Sequence, residues 1–146
     1  MTGNEFVNPT DDEIRAILSH PTTVAVVGCS DNPGRDGLMI AKLLRDKGFR
    51  VIPVNPILKP DALIEVLGER AYPDLLSIPD PVEVVDVFRQ PVHLPAIVDA
   101  AIRKRARILW CQLGVINLDA ARTAQAAGIK VVMDRCPAIE YRRLFQ

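Results

Sequence analysis

The sequence predicts a doubly wound α/β domain, in which a mainly parallel sheet of five strands carries helices on both faces. Apolar, strand-like segments alternate with segments of helical periodicity along almost the whole chain. The strand segments are apolar on both faces, which is typical of parallel strands covered by helices on either side. The first of them runs directly into a glycine-rich turn that opens a helix. With 146 residues the chain can bury one core, and we assign residues 1–9 to a tail and 10–146 to a single domain.

The first predicted elements are a short helix and a buried strand. Thr10 and Glu13 have the spacing of a capping box, in which each side chain accepts a backbone N–H at the start of a helix. Pro21 ends that helix, because the residue before a proline is disfavoured in helical conformation. The apolar run at residues 22–27 then predicts the first strand.

A second helix and a second strand follow the glycine-rich turn. Apolar residues at helical spacing over 38–44 predict the helix, and Gly48 marks its end. Residues 50–54 predict the strand. Pro53 lies inside it and has no backbone N–H to donate, so we expect this strand at an edge of the sheet.

The remaining chain is irregular at first and then alternates clearly. Residues 58–78 have the weakest pattern, and we predict a short helix near 62–67. The later predicted elements, in order, are a strand at 82–88, a helix at 91–103, a strand at 107–112, a helix at 118–127, a strand at 130–133 and a helix at 138–145.

Composition argues against several classes of protein. Lysine plus arginine and aspartate plus glutamate each total 18, so no net charge attracts the chain to nucleic acid or to a membrane surface. No apolar run approaches the ~18 residues of a membrane span, and the first residues lack the pattern of a signal peptide. The three cysteines have no CxxC or histidine spacing. We therefore predict reduced thiols, no metal site and a cytoplasmic location.

The turn after the first strand is the strongest candidate binding site. It begins at Gly28 and reaches the next helix near Gly37. Glycine lets the backbone approach a phosphate closely, and the first N–H groups of the following helix point at it. The turn therefore indicates a nucleotide diphosphate site, although an ordinary strand-to-helix turn would also use glycines for geometry alone.

Two departures argue against an ordinary dinucleotide site. In the G-x-G-x-x-G pattern, Ser30 takes the second glycine's place and Pro33 the third, with Gly34 one residue late. The second strand ends at Asn55, where a site for NAD has an acidic residue that accepts from the ribose. An uncharged residue there does not repel a phosphate on the ribose.

Basic side chains near the turn strengthen this interpretation. Arg35 lies at the end of the turn, Lys42 in the following helix and Lys59 just after the second strand. Arginine can bind two oxygens of one phosphate, and lysine supplies a mobile positive charge. The predicted ligand is therefore a nucleotide with a diphosphate and a ribose phosphate.

Five segments carry a more specific resemblance. Residues 24–33, 54–56, 85–89, 110–114 and 132–137 resemble, in this order, the small single-domain CoA-binding proteins. That family is similar to the CoA-binding domain of the succinyl-CoA synthetase α subunit. The resemblance implies a Rossmann-like fold that holds coenzyme A, or an acyl-CoA, at the carboxyl edge of its sheet. It implies no reaction, and we find no phosphohistidine segment or ATP-grasp domain in these 146 residues.

The same resemblance assigns parts of the cofactor to residues of this chain. The predicted cofactor-binding residues are Gly28, Cys29, Ser30, Asn32, Pro33 and Arg35 for the diphosphate; Val54, Asn55 and Pro56 for the adenosine, with Lys59 for the ribose 3′-phosphate; Phe88 and Arg89 for the middle of the cofactor; and Gln112, Leu113 and Gly114 for the pantetheine arm.

Cys29 departs from the small residue that is usual at its position in this family. Its thiol would either pack inertly or face the ligand. In the second case, the helix N-terminus and Arg35 would lower its pKa.

The other reactive residue types do not assemble into a catalytic group. His20 and His93 are expected at helix ends, and Trp110 in the core or at a dimer interface. Asp86 lies within a strand and needs a partner if it is buried. The segment 134–137 indicates either a cysteine activated by its neighbours or a turn braced by an Asp–Arg pair.

We therefore predict no reaction and a protein that acts by holding, presenting or sequestering its ligand. A nicotinamide-dependent oxidoreductase and a degenerate interaction module are the alternatives. A protein partner or homodimer remains open.

Overall fold

The computed structural model describes residues 6–32 and 34–146. Met1–Glu5 in the predicted tail, and Pro33 in the predicted site, lie outside the described residues. The elements in chain order are α1 (Asp11–Ser19), β1 (Thr23–Val27), α2 (Asp36–Asp46), β2 (Arg50–Val54), β3 (Leu63–Ile64), β4 (Glu69–Arg70), β5 (Val84–Val87), α3 (Leu94–Lys104), β6 (Ile108–Cys111), α4 (Leu118–Ala126), β7 (Lys130–Val132) and α5 (Pro137–Phe145).

Five of the strands form one parallel sheet in the order β2-β1-β5-β6-β7. The chain leaves β1 towards β2 and then returns to place β5 on the other side of β1. The two connections therefore diverge between β1 and β5, which is where ligands bind in open α/β sheets. The predicted doubly wound sheet of five mainly parallel strands is confirmed.

Helices cover the sheet on both faces and bury two apolar clusters. One cluster lies between the sheet and helices α3 and α4, and the other between the sheet and α1, α2 and α5. Trp110 belongs to the second cluster and is 2% exposed, so the core interpretation is confirmed for this residue. Its Nε1 donates to the backbone oxygen of Arg135. Within the described residues, no helix is both long and apolar enough to cross a membrane.

Strand β2 lies at the edge of the sheet, as Pro53 predicts. The carbonyl of Pro53 accepts a 3.0 Å bond from the N–H of Tyr72, which forms a single parallel bridge beside β2. In a parallel strand the N–H and C=O of one residue point to the same side. The missing N–H of Pro53 therefore falls on the outer side, where no full strand requires it.

The predicted helix at 62–67 is wrong, because this stretch forms an antiparallel hairpin of β3 and β4. Ile64 and Leu67 are both buried, and their three-residue spacing imitates one face of a helix. In the hairpin, however, Ile64 lies on the strand and Leu67 in the turn. Gly68 follows with φ +65°, and Ala71 donates back to the oxygen of Ala62, so the chain reverses instead of continuing helically.

The remaining elements match the predictions to within a few residues at their ends. The Thr10–Glu13 capping box is present, and its side chains accept both expected backbone N–H groups. The predicted helix from Pro91 begins instead as a separate 3-10 turn, Pro91–His93, before α3. The C-terminal helix is tied to the start of α1, because Arg143 binds Asp11 through two nitrogens at 2.8 and 2.9 Å.

Candidate functional site

Three adjoining depressions open at the carboxyl edge of the sheet. The glycine-loop cleft, of about 460 Å³, is lined by residues that include Gly28, Ser30, Arg35, Gly37, Asn55 and Phe88. The apolar pocket, of about 240 Å³, is lined by residues that include Val54, Pro56, Leu75, Arg89, His93 and Ile97. The edge groove, of about 290 Å³, is lined by residues that include Phe88, Arg89, Pro91, Gln112, Leu113 and Gly114.

Gly28 is the residue on which the glycine-loop cleft depends. Its φ is +92°, and an added Cβ would lie only 2.7 Å from the backbone oxygen of Phe88. Its N–H donates to the backbone oxygen of Val54 at 2.7 Å. The turn after β1 is therefore bonded to the end of β2 and lies in close contact with the backbone just after β5, and only glycine fits there without movement of a neighbour.

Ser30 and Asn32 hold the shape of the loop. The Ser30 hydroxyl oxygen accepts from the backbone N–H of Asn32 at 2.9 Å, and the side-chain oxygen of Asn32 accepts from Gly34 at 2.9 Å. Arg35 donates its backbone N–H to the oxygen of Asn32 at 3.0 Å. Because the Ser30 hydroxyl acts as acceptor in this contact, its own O–H can still be donated to a ligand.

Helix α2 begins beside this loop without a side-chain cap. Arg35 occupies the N-cap position in extended conformation and makes no capping hydrogen bond. The first N–H groups of a helix have no acceptor within the helix, and an anion can supply one. An added Cβ at Gly37 would lie 3.2 Å from the backbone oxygen of Gly28, so the helix packs tightly on the turn. The carboxylate of Asp36 also lines the cleft and opposes an anion there.

Asn55 connects the two loops. Its side-chain nitrogen donates to the oxygen of Cys29 at 3.0 Å, and its side-chain oxygen accepts from the backbone of Ile57 at 3.2 Å. Asn55 is 7% exposed, so a buried polar side chain is satisfied by the loops that it joins. This structural role has no signature in the sequence beyond the residue type.

The residues that are predicted to contact the adenosine line two different depressions. Val54 and Pro56 line the apolar pocket, whereas Asn55 lines the glycine-loop cleft. Lys59 is exposed in the segment before β3, and it is not among the residues that line the three depressions. The pocket also receives residues that sequence patterns did not indicate, among them Leu75 and Ile97, because these come from distant segments of the chain.

The loop after β6 is held at two points. Gln112 is buried, and its side-chain nitrogen donates to Asp86 at 2.6 Å. The N–H of Gly114 donates to the carboxylate of Asp134 at 2.8 Å. Arg135 does not pair with that carboxylate but donates to the backbone oxygen of Asp134 at 2.9 Å. The turn is thus braced as expected, but through different partners than the predicted Asp–Arg pair.

Asp86 is buried in the middle of the sheet. It is 1% exposed, and its Oδ2 has no hydrogen-bond partner among the described residues. Burial raises the pKa of Asp86 to about 7, although the hydrogen bond from Gln112 acts in the opposite direction. The partner that a buried Asp86 requires is therefore the side chain of Gln112, in the loop after β6. Asp86 does not itself line the three depressions.

The thiol of Cys29 points into the core and away from the cleft. Cys29 is 0% exposed, and burial, followed by the charges of Asp86 and Asp31, raises its pKa to about 12. The prediction that the helix N-terminus lowers this pKa is wrong, because desolvation outweighs it. The packed, inert interpretation of Cys29 is the one that the structure supports. Its backbone, not its thiol, belongs to the loop.

Native-state alkylation is expected to separate the three cysteines. Cys136 is half-buried and reacts first, whereas Cys29 and Cys111 are buried with pKa values raised to about 12 and react only when the structure opens. Mass spectrometry of peptides over a labelling time course measures this order. Denatured protein, in which all three thiols react, is the control, and native labelling of Cys29 as fast as Cys136 contradicts the assignment.

The described residues also contain no group of three or more histidine, cysteine, aspartate or glutamate side chains placed to hold a metal ion. The three depressions are lined by the glycine turn, by polar and charged side chains such as Ser30, Arg35 and Arg89, and by apolar surface.

The fold and the glycine-loop cleft define a Rossmann-like α/β domain whose candidate site lies at the carboxyl edge. A family model described as a CoA binding domain matches residues 22–142, so the chain belongs to the CoA-binding domain family. This match confirms the resemblance that the five sequence segments indicate.

Proteins similar to this chain include single domains and longer enzymes. The uncharacterized protein YneT of Bacillus subtilis is 36% identical over 129 residues, which cover 88% of this chain and 92% of YneT. The structure of a hypothetical protein from Pyrococcus horikoshii has a TM-score of 0.85 and 38% identity, and the match covers 97% of this chain and 99% of that one. An ADP-forming acetate–CoA ligase of Methanocaldococcus jannaschii is 29% identical over 87 residues, 60% of this chain but only 12% of the ligase.

Proposed function

We propose that the protein binds coenzyme A or an acyl-CoA across the carboxyl edge of its sheet. The observation that carries this proposal is the uncapped start of α2 behind the Gly28 turn, in a chain of the CoA-binding domain family. The diphosphate would lie in the glycine-loop cleft, where first-turn N–H groups and Arg35 are available. The Ser30 hydroxyl is a further donor.

The two neighbouring depressions suit the remaining parts of the cofactor. The apolar pocket offers Val54, Pro56 and Ile97 to the faces of an adenine ring. On the other side of Phe88, the edge groove presents Leu113, which is 57% exposed, to a pantetheine arm. Phe88 lines both the glycine-loop cleft and the edge groove, so in this proposal it lies beside the middle of the cofactor.

We further propose a carrier, sequestering or regulatory role in the cytoplasm. Support comes from the absence of a recognisable catalytic group among the described residues that line the three depressions, and from three cysteines without a disulfide among them. The match to acetate–CoA ligase supports the binding of CoA only, because the matched segment is a small part of that enzyme.

A thermal-shift panel of CoA, acetyl-CoA, NAD, NADP and ATP tests the proposed ligand class. A ligand at ~100 times its dissociation constant adds about 2.7 kcal/mol to the free energy of unfolding, which raises the melting temperature by several degrees. We expect shifts with CoA or acetyl-CoA. A shift with NAD or NADP and none with either CoA compound favours the nicotinamide-dependent alternative and overturns the proposal.

Arg35→Ala is expected to weaken CoA binding by roughly 10- to 100-fold, because a charge-assisted hydrogen bond is worth about 1.5–3 kcal/mol. The melting temperature of the free protein should change little, since Arg35 is exposed and makes no capping bond. Titration calorimetry measures the affinity. Arg45→Ala, in the last turn of the same helix, is the matched control and should bind as the wild type does. Equal affinity of the Arg35 variant and the wild type removes Arg35 from the site.

A further inference from the structure

Arg89 lies at the carboxyl edge of the sheet, near the place between β1 and β5 where the two connections of the chain diverge. It lies two residues after the end of β5, and an added Cβ on Gly28 would lie 3.2 Å from the Cδ of Arg89. The aliphatic part of Arg89 therefore rests against the glycine turn after β1. Arg89 also lines both the apolar pocket and the edge groove. Its side chain thus lies between these two depressions and against Gly28, which lines the glycine-loop cleft.

The guanidinium group of Arg89 is held by a histidine. Its Nη2 lies 3.1 Å from Nε2 of His93, which follows in the 3-10 turn before α3. A guanidinium group has hydrogen-bond donors only, so Nε2 of His93 accepts in this contact. The imidazole ring is therefore neutral in this arrangement, with its proton on Nδ1. A protonated ring would place two positive charges against each other.

One acidic side chain faces the same pocket. Asp74 lines the apolar pocket, and its Oδ1 accepts from the backbone N–H of Ser77 at 2.9 Å and from the Ser77 hydroxyl at 2.6 Å. In the lining that the structure describes, Asp74, Arg89 and His93 are the charged or titratable residues of the pocket. Histidine is the one of these whose charge ordinarily changes near neutral pH.

We infer that Arg89 and His93 form a proton-linked clamp for a phosphate group of the bound nucleotide, an inference that rests on the proposed function. A phosphate near Gly28 takes up N–H donors of Arg89 and releases Nε2 of His93 from its contact. The free Nε2 then binds a proton from solvent, and the imidazolium becomes a second cation beside the anion. In this pair of side chains the free protein carries one positive charge, on Arg89, and the complex carries two, on Arg89 and His93.

Ligand binding should therefore take up protons and weaken as the pH rises. We expect an uptake of about half a proton per CoA near neutral pH, and a dissociation constant that increases roughly tenfold between pH 6 and pH 8. Calorimetry in buffers of different ionisation enthalpy measures the uptake. The chain contains two histidines, so NMR of the imidazole nitrogens follows the protonation of His93 directly in the wild-type protein.

His93→Gln separates protonation from the hydrogen bond. The glutamine oxygen can accept from Arg89 but cannot become a cation, so this variant should bind CoA with little dependence on pH and without proton uptake. His20→Gln is the matched control. His20 bonds the backbone oxygen of Ala16 and lies at the opposite edge of the sheet, so the variant should keep the wild-type uptake.

Dephospho-CoA identifies which phosphate the clamp holds. Loss of proton uptake with this ligand assigns the clamp to the ribose 3′-phosphate, and unchanged uptake assigns it to the diphosphate. Wild-type protein that binds CoA without protonation of His93, or a His93→Gln variant that retains the uptake, overturns the clamp while CoA binding stands. Absence of CoA binding at every pH overturns the proposed function itself.

Discussion

Gly28→Ala is expected to lower the melting temperature by roughly 4–24 °C. The φ of +92° costs a non-glycine residue about 1–3 kcal/mol, and the 2.7 Å approach of the new Cβ to the Phe88 oxygen adds a comparable penalty. At about 2–4 °C per kcal/mol these costs combine to the expected loss. The variant should also lose CoA binding, because relief of the contact must move either the glycine turn or the end of β5. Thermal unfolding and titration calorimetry measure the two effects.

Gly128→Ala is the matched control for this experiment. Gly128 has a similar φ of +88°, but an added Cβ there meets no heavy atom within 4 Å. The control therefore carries the backbone strain without the steric contact. It should lose a smaller part of the stability and keep its affinity for CoA, since Gly128 follows α4 at the other edge of the sheet. Equal losses in the two variants would show that the contact with Phe88 is not limiting.

Asp86→Asn is expected to remove a loss of stability that the wild-type protein shows as the pH rises from acid to neutral. The folded-state pKa of Asp86 is about 7, raised by burial above the ordinary value of 3.8. Between these two values the folded protein holds a proton that the unfolded chain has released, so stability falls as the pH rises through this window. Above about pH 7 the folded protein has released this proton too, so the loss of stability is complete. Three pKa units correspond to about 4 kcal/mol, as an order of magnitude.

Denaturant unfolding of wild type and variant at pH 5 and pH 8 measures this contribution. The asparagine can still accept from Gln112, but its amide nitrogen occupies the position of the unpartnered Oδ2, which costs about 1–3 kcal/mol at either pH. We therefore expect the variant to gain about 3 kcal/mol relative to wild type between pH 5 and pH 8. Asp12→Asn, at a side chain that is 92% exposed, is the control and should show no such gain. A variant with the wild-type pH dependence contradicts a protonated Asp86.

Much of the fold follows from local sequence patterns. The Thr10 capping box, the apolar strands and the glycine at position 48 each act over a few neighbouring residues, and the structure contains all of them. Pro53 even indicated the edge strand, because a missing N–H constrains its position in any sheet. The helix expected at 62–67 failed because a three-residue apolar spacing arises in a hairpin turn as well as in a helix.

The position of the candidate site was predictable for a related reason. In a parallel sheet the carboxyl ends of all strands meet at one edge, so the residues just after each strand must converge. Gly28, Arg35, Asn55, Phe88 and Gln112, which the family resemblance assigned to the cofactor, come from the segments that follow the strands, and each lines one of the depressions at that edge. Their placement needed only the order of elements along the chain.

The sequence alone thus determined the fold class, the family and the edge at which the candidate site lies, whereas the tertiary structure decided what individual side chains do there. In the tertiary structure the thiol of Cys29 lies in the core, Gln112 donates a hydrogen bond to Asp86, and Arg89 contacts His93. Strand and helix signals arise from neighbouring residues and repeat along the chain, so they can be recognised in the sequence. The direction of a side chain and its non-local partner depend instead on how separate elements pack, and packing is settled only when those elements meet in three dimensions.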